Sequence, residues 1–206
     1  GRVAYHPMCN YVGENTFESI LSGAQTHVHV RKKLVDATYH SPAVPATHTP
    51  RFRVGPGVRV VPPNALPQLG SNVDAKAPRH FVIVGAGKTA MDAAVWLLTS
   101  GGVPPAAISW VMPRDSWLVN RVTTQPAPEF FDQSIGGQAD QMEAFAKATS
   151  TADLFARLEA CGALLRIHSD RTPSMFHLAT VTPGEVELLR RIEHVIRKGR
   201  VQAIAA

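Results

Sequence analysis

The stretch Phe81 to Leu98, FVIVGAGKTAMDAAVWLL, limits the possible folds more than any other part of the chain. Phe81 to Val84 is a continuous apolar run, the pattern of a strand covered on both faces of a parallel sheet. A glycine turn follows. Lys88 to Ser100 then carries Ala90, Ala94, Val95 and Leu98 at the spacing of one helix face. Gly101-Gly102 ends that helix, and Ile108 to Met112 reads as a second strand. The unit is β-α-β, at the usual length of about 30 residues. The expected fold class is α/β, Rossmann-like, with a parallel sheet and helices on both faces.

The turn GAGKT has two readings. A P-loop requires GxxxxGK[ST], so Gly87-Lys88-Thr89 would need a glycine at position 82. Valine stands there, inside the strand. The second strand also runs into Pro113 and Arg114, without the acidic residue that serves magnesium. The dinucleotide pattern GxGxxA fits better, at Gly85, Gly87 and Ala90. Gly85 allows the tight turn, Gly87 lets the backbone approach a pyrophosphate, and Ala90 keeps the helix close to the sheet. Ala86, Lys88 and Thr89 complete a helix start whose N–H groups and partial positive charge face the phosphates. A glycine turn that binds nothing is the competing explanation.

The end of the second strand separates NADP from NAD. Arg114 follows it at once, and Arg121 lies nearby in PRDSWLVNR. A guanidinium holds a 2′-phosphate bidentately and stacks on adenine. Asp115 argues for NAD, because a carboxylate accepts from the ribose hydroxyls. The balance favours NADP, with NAD as the alternative. Trp117 and Asn120 are candidates to cover the adenine, although packing explains Trp117 equally well. Asp92 suits the helix dipole. Met175-Phe176-His177 reads as a buried turn near the active-site side, with His177 structural rather than catalytic.

The net charge of +5 suits a ligand carrying several phosphates. The basic residues form no stripe interleaved with aromatics, so nucleic acid is not an expected partner. No apolar run of about 18 residues exists, and no membrane span is expected. Cys9 and Cys161 form no CxxC pair, which fits a reducing, cytoplasmic setting. His27 and His29 would share one face of a strand, and an exposed face explains them better than a metal. No nucleophile–base pair stands out, so no catalytic residue is assigned. The substrate and the oligomeric state are not legible.

Along the chain, residues 1–40 read as short strands and turns. The alternation in THVHVRKKLVDATY suggests a hairpin ending in a buried strand at Leu34-Val35. Residues 41–79 hold half of the prolines and read as an extended connector with a strand at Val58 to Val61. A domain boundary is expected near Pro78, dividing residues 1–78 from an NAD(P)-binding domain at 79–206. Residues 113–136 read as loop. Two helices are expected between Gly137 and Cys161, divided near Thr149-Ser150-Thr151. A third strand is expected at Leu164 to His168. A capped helix is expected from Thr182 to about Lys198, stopped by Gly199, and a last strand at Arg200 to Ala205.

These residues resemble two-dinucleotide-binding-domain flavoproteins, the flavin-containing monooxygenases and their FAD/NAD(P)-dependent oxidoreductase relatives. FVIVGAGKTAMDAA matches the opening of the family's inserted NAD(P)H domain. LVDATYHSPAVPATHTP takes the place of its ATG-like motif and proline-rich crossing, with Tyr39 where the family has glycine. The resemblance covers about residues 24–125. The family's first GxGxxG would lie upstream of residue 24. The resemblance therefore implies a partial chain whose first segment is a remnant of an FAD domain. It also implies a parent enzyme in which NADPH reduces FAD by hydride transfer and an unknown small molecule or oxygen takes the electrons. The alternative is a non-catalytic nucleotide-binding or interaction module.

Overall fold

The computed structural model describes residues 3–37, 43–70 and 80–205, in two compact units divided between Ala43 and Val44. The first unit is an antiparallel meander of β1 (Cys9–Gly13), β2 (Thr16–Ser19) and β3 (Gln25–His27). Tyr11 and His6 flank Phe17, with ring centroids 5.9 and 6.0 Å away. None of its described residues is buried. The expected strand at Leu34-Val35 does not form, and Val35 is 79% exposed. An apolar pair gains from strand formation only where a neighbouring surface covers it, and no such surface lies over this pair among the described residues. His29 falls outside β3, so it does not share a strand with His27. His27 Nδ1 lies 3.2 Å from Thr16 Oγ1.

The second unit is mixed α/β. Its elements, in chain order, begin with β4 (Arg53–Val54), α1 (Leu66–Gly70), β5 (Phe81–Val84), α2 (Lys88–Leu98) and β6 (Ile108–Val111). They continue with β7 (Ser116–Asn120), α3 (Gly137–Lys147), α4 (Thr151–Ala160), β8 (Leu164–Leu165) and β9 (Met175–Val181). The chain closes with α5 (Pro183–Arg190), β10 (Val195–Ile196) and β11 (Ala203–Ile204).

The expected β-α-β unit is present. β5 and β6 pair in parallel, with Ile83 opposite Trp110, and β10 adds in parallel on the far side of β6. The order β10-β6-β5 leaves β5 at the edge. α2 buries Met91, Ala94, Leu97 and Leu98 against this sheet. Every residue of β6 is buried, as expected of a two-sided central strand. β5 differs. Ile83 is buried, but Val82 on the opposite face is 55% exposed. A four-residue apolar run reads alike whether one face or both are covered, so the two-sided cover expected at β5 is absent among the described residues. Ser109, the buried polar residue of β6, is satisfied by His80 Nε2 and His194 Nδ1, each 2.7 Å from its hydroxyl.

Residues 44–70 belong to this unit. β4 pairs in parallel with β11, and Leu66 enters the main core. The expected strand at Val58 to Val61 is irregular backbone, and Val58 and Val61 instead flank the partly exposed face of β5. The boundary expected near Pro78 and the ATG-like site around Tyr39 lie outside the described residues.

The stretch read as loop after β6 contains a strand. Trp117 and Leu118 of β7 are buried, and β7 lies between β8 and β9 in a second sheet. The strand expected at Leu164 to His168 is thus the short β8, an antiparallel partner of β7. Met175-Phe176-His177 opens β9, which runs parallel to β7, and is not a buried turn. The two helices expected before Cys161 are α3 and α4. Ser150 caps α4 by accepting from the Asp153 N–H at 3.1 Å, and a small second core of Trp117, Ala144, Leu158, Ala163 and Leu164 joins them to β7 and β8. α5 ends at Arg190, earlier than expected, and the apolar residues beyond it form β10. Among the described residues, no helix is long and apolar enough to cross a membrane.

Candidate functional site

A cavity of about 800 Å³ opens at the carboxyl ends of β5 and β6, where the glycine turn enters α2. This is the position at which open α/β sheets hold their ligands. Gly85, Ala86, Gly87, Lys88, Arg114 and Arg121 all line it. Thr89 and Ala90, also expected at the site, are not part of its lining.

The turn is held firmly. Gly85 has φ +122°, a conformation that favours glycine. Its N–H donates to Val111 C=O at 3.0 Å, and its own C=O accepts from the Trp110 indole N–H at 2.6 Å. Ala90 stands directly behind it, 4.0 Å from where a Cβ on Gly85 would lie. Gly87 is the N-cap of α2 in extended backbone, with no side-chain cap. A Cβ built on Gly87 meets nothing within 4 Å. Protein packing therefore does not require glycine there, whereas a ligand lying on the turn would. The N–H groups of Ala86, Gly87, Lys88 and Thr89 have no protein acceptor among the described residues. Three of these, from Ala86, Gly87 and Lys88, belong to lining residues, and open amides at a helix start form a ready anion cradle.

The charge on the cavity wall is one-sided. Arg114, Arg121 and Arg200 line it, and no Asp or Glu does. The Arg114 and Arg200 side chains have no hydrogen-bond or ion-pair partner among the described residues. Arg121 spends one donor on Thr180 C=O at 3.2 Å. Lys88 differs from expectation, because its ammonium is engaged by Asp92 and, at 3.3 Å, by Glu185. Burial tends to raise the Glu185 pKa. Hydrogen bonds from the Thr182 N–H and hydroxyl, together with Lys88, outweigh it and bring the group below its ordinary value. Lys88 is thus largely neutralised in place.

Asp115 does not line the cavity. It is gripped bidentately by Arg197, Nε to Oδ2 at 2.8 Å and Nη2 to Oδ1 at 3.0 Å. His168 Nδ1 adds a contact 3.5 Å from Oδ1. The carboxylate that argued for a ribose contact is therefore committed inside the protein. Trp117 packs rather than covering a ligand: its ring stacks on Phe155 at 5.5 Å, and Arg166 lies over it at 5.5 Å. Asn120 caps the turn at Arg121–Thr124 and donates to Gly162 C=O at 2.9 Å.

Arg200 and Leu178 are lining residues that sequence reasoning missed. Arg200 follows β10, so it stands at the same carboxyl end as Arg114; taking β10 for a helix tail hid that equivalence. Met175 and His177, expected near the active-site side, do line the cavity, together with Leu178 and Ala179 from an irregular stretch of β9. A positive-φ leucine carries no sequence signature.

The chain is 46% identical over 204 residues to "Uncharacterized protein Rv2000" of Mycobacterium tuberculosis, and equally to "Uncharacterized protein Mb2023" of Mycobacterium bovis. Each match covers 99% of this chain but 36% of the relative, so the chain spans about a third of the length of these curated relatives. No protein-family model matches the chain, and no solved structure does.

Proposed function

We propose that this chain is the NAD(P)H-binding portion of a flavin-dependent oxidoreductase, monooxygenase-like, with NADPH preferred to NADH. The observation that carries the dinucleotide reading is the cradle of open amides at Gly87, facing a wall with three arginines and no acid. The pyrophosphate would lie on the turn from Gly85 to Lys88, and Arg114 would hold the 2′-phosphate. The commitment of Asp115 to Arg197 removes the group best suited to the ribose of NAD, which favours NADP. The Rossmann assignment draws support from the parallel order β10-β6-β5 and the glycine turn between β5 and α2.

The flavin part of the proposal rests on the resemblance. In it, NADPH hydride passes to FAD held by another part of the parent protein, and the chain's own residues bind and orient the donor. A relative nearly three times as long as this chain has room for such a domain. A second reading, binding without chemistry, is favoured by the lining itself. It offers the His177 imidazole but no carboxylate or thiol for acid–base work.

Calorimetric titration with NADPH, NADH and MgATP tests the proposal. NADPH binding tighter than NADH, with no response to MgATP, is the expected result. Saturable MgATP binding alone would sink the dinucleotide reading. A flavin absorbance band in the purified full-length protein separates the oxidoreductase from the non-catalytic module.

A further inference from the structure

The parallel ladder between β7 and β9 breaks beside the cavity. Ser116 pairs with Met175 and Trp117 with Phe176; the ladder resumes with Val119 opposite Thr180. β7 advances by two residues across the break while β9 advances by four, so His177, Leu178 and Ala179 share the space opposite Leu118. Leu178 absorbs the excess with φ +55°, an outlier for a branched apolar side chain. It is also 68% exposed. A residue that is both strained and exposed gains nothing from the protein core.

The bulge is nevertheless held in place. Thr180 Oγ1 donates to Leu178 C=O at 3.2 Å, and Arg121 donates to Thr180 C=O. On one side Phe176 meets Phe155 edge-on, with centroids 5.6 Å apart. On the other, Val181 is fully buried and Thr182 caps α5. Bulges of this kind re-aim side chains next to binding sites, and local strain persists where the surroundings enforce it. Leu178, Met175 and Ala179 put an apolar surface on a cavity that the glycine turn and the guanidinium groups of Arg114, Arg121 and Arg200 also line.

We propose that the bulge at His177–Ala179 is the ring-binding wall of the cavity, with Leu178 covering the face of a nucleotide base or nicotinamide while the phosphates lie on the glycine turn. The inference rests on the dinucleotide reading above and adds a specificity-determining residue to it. Leu178 supplies flat apolar contact, and His177 supplies a hydrogen-bonding group on the same wall. The Arg121 bond to Thr180 couples this wall to the charged one, so Arg121 serves as a positioning residue as well as a cation.

The test uses Leu178→Gly and Leu178→Asn. Both residues tolerate a positive φ and remove the apolar side chain. Thermal melting should show both variants folded, with the glycine variant at least as stable as the parent. Each is titrated with NADPH and with 2′-phospho-ADP-ribose, which lacks nicotinamide. The expected result is binding of NADPH about tenfold weaker in both variants. Loss confined to NADPH assigns the wall to nicotinamide, and equal loss for both ligands assigns it to adenine. Parent and variants binding both ligands equally would overturn this inference alone. A parent that binds neither would overturn it together with the dinucleotide reading.

Discussion

Gly87 and Arg114 do separable work. A Cβ on Gly87 meets open space, and the residue sits at φ −84° and ψ 174°, which valine adopts freely. Gly87→Val should therefore leave the fold intact, at a cost of about 1 kcal/mol or less for the poorer cap. It should weaken NADPH more than about tenfold, because the branched side chain occupies the approach to the amides. Circular dichroism and calorimetry read the two effects independently, and unchanged affinity would remove the role of the turn. Arg114 has no protein partner among the described residues, so its removal breaks nothing in the apo protein. A charge-assisted hydrogen bond contributes about 1.5–3 kcal/mol. Arg114→Ala should then weaken NADPH about ten- to a hundredfold and NADH far less. Equal losses would mean that Arg114 does not read the 2′-phosphate.

At the scale of elements, α5 links the site to the rest of the unit. Its capping box is complete: the Glu185 N–H donates to Thr182 Oγ1 at 3.1 Å, and Thr182 N–H donates to Glu185 Oε2 at 2.6 Å. The same carboxylate reaches Lys88 at the start of α2. Thr182→Ala should lower stability by about 1 kcal/mol in urea denaturation. This cap was legible in TPGE because it depends on residues three apart. The β5–α2–β6 unit and the break between α3 and α4 were legible for the same reason, as their signals are local. The other elements depend on distant partners. SWLVN becomes β7 only because β8 and β9 flank it, and the tail beyond Arg190 becomes β10 only because β6 offers an edge. The site divides in the same way. Gly85, Gly87 and Arg114 announce themselves by spacing from one strand, whereas Arg200 and Leu178 reach the cavity through strands whose pairing no short window contains.

At the scale of the whole α/β unit, Asp115, His168 and Arg197 tie together segments that follow β6, β8 and β10. Arg197 Nη2 lies 2.9 Å from His168 Nδ1 while the same guanidinium holds Asp115. Burial lowers the His168 pKa, and the Arg197 charge lowers it further. The attraction of Asp115 and Asp170 offsets this only in part. For Asp115, burial acts upward, but the hydrogen bonds and charges of Arg197 and His168 prevail and hold it below its ordinary value. Both shifts act in the same direction on stability. A folded imidazole with a lowered pKa stays neutral where the unfolded one takes up a proton. Its contribution is therefore present above the ordinary value of about 6.5 and is lost as the pH falls below it. The lowered carboxyl contributes above its ordinary value of about 3.9, and that contribution is lost as the pH falls toward the folded value. Acid should consequently weaken the unit in two stages, the first beginning below about pH 6.5 and the second below about pH 4. His168→Asn should flatten the first stage and keep the second. Asp115→Asn should leave Arg197 without its bidentate partner and lower stability at neutral pH as well, since breaking such a partly buried pair strands the remaining charge. Melting temperatures of parent and variants between about pH 2 and pH 8 decide the matter: a first stage as steep in His168→Asn as in the parent would show that the acid sensitivity arises elsewhere.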